Sequence, residues 1–68
     1  MKAYRYLTGF DDSAFCHKVT EALSKGWELH GDPSYAFDPV AGKMRCAQAV
    51  TKDVRDHDYD PLLKLGSL

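Results

Sequence analysis

A chain of 68 residues, with net charge −1 and 44% hydrophobic content, holds one domain and no more. A domain of this size buries only about 60% of the surface its unfolded chain exposes, so a partner, a metal or disulfides often complete its stability. Its two cysteines, Cys16 and Cys46, allow no disulfide framework, the charge lacks the basic clustering that nucleic acid requires, and no apolar run reaches the length of a membrane span. Read as free thiols, and with no visible signal peptide, the cysteines place the chain in a reducing, cytoplasmic compartment.

Lys2 to Leu7 reads as the first strand. Tyr4 and Tyr6 face one way; Ala3, Arg5 and Leu7 face the other. Thr8 and Gly9 are expected to turn the chain into a helix, on which Phe15, Val19, Ala22 and Leu23 form one apolar stripe with Cys16 at its edge. Two starts are open: a capping box of Thr8 with Asp11, or Asp11 or Asp12 acting alone as N-cap. Lys25 and Gly26 mark the exit, since Gly26 can take the left-handed conformation that ends a helix. Trp27 is then expected to fold back onto Ala22 and to open the second strand. Gly31-Asp32-Pro33 interrupts that strand as a bulge or break, Ser34 to Phe37 continues it, and 38–42 is a loop. Strand three runs from Lys43 or Met44 to Lys52, with Ala47 and Ala49 expected beneath the helix.

The order is β-α-β-β, an α+β fold. A right-handed crossover leaves strands one and two parallel, and strand three fits between them, giving the sheet order 1-3-2. Residues 1–52 form the domain. Residues 53–68 carry two Lys/Arg against four Asp/Glu, lack periodicity, and read as an acidic, partly ordered tail. Pro61 to Leu65 could form one helical turn there; the simplest reading is a loosely ordered terminus, and the alternative is a docking segment whose leucines cover apolar surface.

Tyr4-Arg5-Tyr6-Leu7-Thr8-Gly9, the run Phe15 to Leu23, and Gly26-Trp27-Glu28-Leu29 together resemble a family of small bacterial proteins known only as a domain of unknown function. The resemblance covers residues 2–52, although members commonly carry Pro where this chain has Phe10. It implies a compact bacterial domain and brings no catalytic residues with it.

Candidate chemistry is thin. Cys16 and His17 are helix neighbours about 100° apart and do not face each other. Cys16, Cys46, His17, His30 and His57 show none of the close pairs that mark zinc, so no metal or other cofactor is expected. Glu28 and His30 share a strand face, which is most simply a solvated one. Together with Cys46 they are the residues of a weaker enzymatic reading, with a site completed across a dimer seam. Tyr4, Tyr6, Tyr35 and Phe37 could stack single-stranded nucleic acid or a small ligand, flanked by Lys2, Arg5, Lys43, Arg45 and Lys52. Geometry favours another role. A helix about 10 Å wide covers one face of three strands and not both, yet strands one and three carry apolar groups on both faces. The candidates for the cover are a second copy of the chain, the tail leucines, a different protein or a small ligand; a second copy is the first choice, in a non-catalytic homodimeric interaction module with Tyr4, Tyr6, Met44, Cys46 and Val50 as the interface.

Overall fold

The computed structural model describes the whole chain, Met1–Leu68. Alternation in β1 (Lys2–Phe10) buries Ala3 and Leu7 and turns Tyr4 and Tyr6 outward. Helix α1 (Ser13–Ser24) follows after a two-residue turn. Of the possible starts, Asp12 takes the N-cap: its Oδ1 accepts the Phe15 N–H at 3.1 Å, which satisfies one orphan donor of the first turn. The strand continues three residues past the expected Leu7. Gly9 and Phe10 stay in register with Cys46 and Arg45, so the turn falls at Asp11–Asp12. A Cβ on Gly9 would stand 3.1 Å from Phe15 Cδ2, so the ring packs closely over a position without a side chain.

The helix ends as the sequence implies. Gly26 has φ +91°. The Gly26 N–H reaches the Leu23 carbonyl at 3.2 Å, and the Trp27 N–H reaches the Ala22 carbonyl at 3.1 Å. This pair of bonds is a Schellman motif, and it lays Trp27 onto Ala22 within one core cluster.

Strands β2 (Glu28–Asp38) and β3 (Lys43–Asp53) form the hairpin. The sheet order is β1-β3-β2, with β3 antiparallel to both neighbours. The register of β2 shifts between His30 and Ser34, where Gly31-Asp32-Pro33 bulges. Gln48, one of seven buried residues and the only polar one, serves this break. Its Nε2 reaches the carbonyls of His30 and Gly31, both at 3.3 Å, and that of Ala49 at 2.9 Å, which ties the break to the central strand.

One facing is reversed from the sequence expectation. Val50 pairs with Arg5, and Gln48 with Leu7, so Gln48 and Val50 lie beneath the helix. Ala47 and Ala49 pair with Thr8 and Tyr6 and line the opposite face. The core is Ala3, Leu7, Ala22, Trp27 and Val50, with Phe15, Val19, Val54, Leu65 and Leu68 packed at its margin. The tail's helical turn also falls later than expected, as a short 3-10 turn over Leu65–Ser67 (η1).

Replacing Trp27 with Ala should remove about 3–5 kcal/mol, against a total of roughly 3–10 kcal/mol for a domain of this size. Far-UV circular dichroism should find that variant largely unfolded at 37 °C. Gly26→Ala forces a side chain into the left-handed region at a cost of about 1–2 kcal/mol, which urea titration should show as a lower midpoint with an unchanged slope.

Candidate functional site

Two apolar surfaces remain uncovered, one on each side of the sheet. On the open face, Tyr4 and Tyr6 form a ridge along β1, 53% and 52% exposed. Ala47 and Ala49 form the floor on the central strand, with Ser34 and Ala36 beyond on β2. The Tyr6 hydroxyl donates to Ser34 Oγ at 3.3 Å, bridging over β3. A shallow hollow of about 320 Å³ lies along this floor, lined by Tyr6, Thr8, Ala36, Arg45 and Ala47 among others. It is at the lower limit of ligand cavities, about 300–1,000 Å³, and wide open.

At the hairpin end of the same face, Phe10 lies under two cations. Arg45 Cζ is 4.5 Å and Lys43 Nζ 5.4 Å from its ring centre, within reach of the ring's negative face. Arg45 Nε also donates to Asp38 Oδ2 at 2.6 Å. Asp38 Oδ1 accepts the N–H groups of Val40 and Ala41 at 2.9 and 3.2 Å. The Arg45 guanidinium, with these amides, holds the Asp38 carboxyl below its usual range. Asp38 thereby ties the 38–42 turn to the central strand.

The second surface lies on the helix side. A 12-residue helix is about 18 Å long, whereas the 11-residue strands extend about 36 Å. The helix also leans toward β1. Leu29, Tyr35 and Phe37 of β2 are therefore left 55–60% exposed. A groove between α1 and β2 is lined by Phe15, Val19, Leu29 and Pro33. The Tyr35 hydroxyl donates to Asp11 Oδ2 at 2.6 Å, and this bond raises the phenol's pKa.

The five residues expected at an interface are divided by the sheet. Tyr4 and Tyr6 are on the open face, while Met44, Cys46 and Val50 share the helix side. Val50 is 0% exposed and belongs to the core. It can touch no partner. Met44 and Cys46 are half-buried near Tyr35 and Phe37. The expected aromatic platform divides in the same way, since Tyr35 and Phe37 face the helix side and only Tyr4 and Tyr6 stay together. Glu28 and His30 lie on the open face, across the sheet from Cys46, so one protomer does not bring those three together. No cluster of three or more His, Cys, Asp or Glu is placed to hold a metal ion. Sequence reading missed the stack of Phe10 with Lys43 and Arg45. Both cations are 33 or more residues from Phe10 in the chain, and only the β1–β3 register joins them to it.

Both cysteines are free; Cys16 is exposed and Cys46 half-buried. Desolvation pushes the Cys46 thiol up, and Asp11 acts in the same direction, which lowers its thiolate fraction. Alkylation at pH 8 followed by mass spectrometry should modify Cys16 several-fold faster than Cys46. Equal rates would contradict this geometry.

No helix is long and apolar enough to cross a membrane. No curated protein and no solved structure matches the chain. Residues 1–53 match the family described as Domain of unknown function (DUF1737). That segment contains α1 and all three strands and stops at the end of β3. On this match, the chain belongs to the DUF1737 family.

Proposed function

We propose that this protein is a small, cytoplasmic, non-catalytic interaction module that works as a homodimer through its open sheet face. The observation that carries the reading is self-complementarity. The Tyr4–Tyr6 ridge and the Ala47–Ala49 floor lie side by side on one surface. A two-fold axis lying between two such faces and parallel to their strands sets each ridge against the other copy's floor, which is how an isologous interface closes.

The size of the face bounds the affinity. Three strands at about 4.8 Å spacing and about 36 Å length present a footprint of roughly 500 Å² per copy. The total of about 1,000 Å² is at the lower limit for a specific interface, which suits a reversible dimer with a dissociation constant on the order of micromolar. The edges are poorer candidates. Edge strand β2 carries Pro33 within its bulge, a device that blocks strand addition.

A second reading draws on one observation, the Phe10 ring beneath Arg45 and Lys43. Beside Tyr4 and Tyr6, that stack could hold a base of single-stranded nucleic acid or another flat anionic ligand. Sedimentation velocity from micromolar to millimolar concentration separates the two. The dimer reading expects twice the 7.6 kDa protomer mass at the upper end. It also expects a folded monomer at every concentration for Tyr4→Glu/Tyr6→Glu. A wild-type chain that stays monomeric to millimolar concentration overturns it, and salt-sensitive binding of an oligonucleotide by that monomer would favour the second reading.

A further inference from the structure

The end of the helix side away from the hairpin is closed by the tail. Val54 pairs with Met1 through two main-chain bonds of 2.6 and 2.7 Å. Every residue from Arg55 to Leu62 is then exposed. The single hydrogen bond from this arm to the domain is the His57 carbonyl accepting from Met1 N at 3.4 Å. The chain next returns, and Leu65 and Leu68 pack against the core cluster that contains Trp27. The 3-10 turn is closed by Ser67 N–H to the Lys64 carbonyl at 3.0 Å and Leu68 N–H to the Leu65 carbonyl at 3.2 Å.

The seat for this turn is built by the domain itself. Arg5 Cζ stands 5.2 Å and Lys52 Nζ 6.0 Å from the centre of the Trp27 ring. Lys52 Nζ donates to the Lys25 carbonyl at 2.7 Å, at the end of α1, and also to the main-chain oxygen of Leu68. Gly66 lies against Arg5, where a Cβ would stand 3.6 Å from a guanidinium nitrogen. The groove thus offers an apolar floor and a cation that holds a main-chain oxygen. All three side chains that build it lie within residues 1–53, the part matched to the family, whereas its occupant lies outside that match.

We propose that the Trp27–Arg5–Lys52 end is a peptide-docking groove, and that Leu65–Leu68 is its tethered, displaceable occupant. The external partner is a peptide of the same chemistry. It carries two leucines three positions apart and a main-chain oxygen turned toward Lys52. The occupant is held by two half-buried leucines and one lysine contact, on an exposed arm, so its release leaves the five-residue core in place. Tethering gives it an effective concentration of about millimolar, which an external peptide must exceed in the intact chain. This surface is opposite the proposed dimer face and is independent of it.

Trp27 is the only tryptophan, so its fluorescence reports directly on the groove. In the full-length Leu65→Asp/Leu68→Asp chain, the emission should move to the red while the far-UV spectrum is unchanged. A synthetic peptide of residues 63–68 should return the emission saturably. The same peptide with both leucines changed to Asp should not, and the wild-type chain should need several-fold more peptide to respond. Unchanged emission in the folded variant, or no saturable return, overturns the proposal. Wild-type emission that varies with protein concentration would show tails exchanged between copies and overturn seating within one chain. If the double variant does not fold, Leu68→Asn carries the same test. A chain unfolded by that change too would make the segment obligate core and also overturn the proposal.

Discussion

The bond from the Trp27 N–H to the Ala22 carbonyl, 3.1 Å long, is where every element of the domain meets. It closes α1, turns the chain into β2, and seats the indole ring on the core. Arg5 from β1 and Lys52 from β3 then stack over that ring. The indole Nε1 is buried with no hydrogen-bond partner, a loss of about 1–3 kcal/mol. A buried Trp removes about 150–250 Å² from water, worth about 4–6 kcal/mol at 25 cal/mol per Å². The apolar area outweighs the orphaned donor. The ring is therefore held for its surface, and the stacked cations add to that without supplying an acceptor.

A second constraint follows from lengths. With the helix spanning about half the sheet, and leaning toward β1, burial is concentrated on Ala3, Leu7 and Val50. Only seven of 68 residues are buried as a result. The uncovered apolar area is divided among the Tyr4–Tyr6 ridge, the Leu29–Tyr35–Phe37 flank and the Trp27 end, and the tail closes only the last. The Asp11–Tyr35 hydrogen bond gives the flank a polar anchor without covering its rings.

The secondary structure was legible because its signals are local. Asp12, Gly26 and Gly31-Asp32-Pro33 each act within a few residues, and each did what its type predicts. Facing was less legible. On β3, Ala47 and Ala49 on one side and Cys46, Gln48 and Val50 on the other are all compatible with burial. The alternation there does not say which set meets the helix. Pairing decides it, since Leu7 and Ala3 must face α1 and the register puts Gln48 and Lys52 opposite them. Gln48 is the one polar residue among the buried ones, and its amide hydrogen-bonds the bulge across from it. Phe10 was hidden for a similar reason. Gly9 reads as a turn residue, whereas here its missing side chain makes room for Phe15 while the strand runs on.

The open face and the Trp27 end differ in what completes them. On the open face, ridge and floor both come from residues inside the segment matched to the family, so nothing beyond residue 53 is needed to complete that surface. At the Trp27 end, the domain supplies a floor and two cations but no lid, and the lid is delivered by residues beyond residue 53. A surface that is its own complement calls for a second copy. A surface that the chain closes with a tethered loop of its own calls for a ligand resembling that loop. Because the sheet lies between them, occupancy of one face places no steric demand on the other, and the proposed dimer and the proposed tail docking are independent of each other.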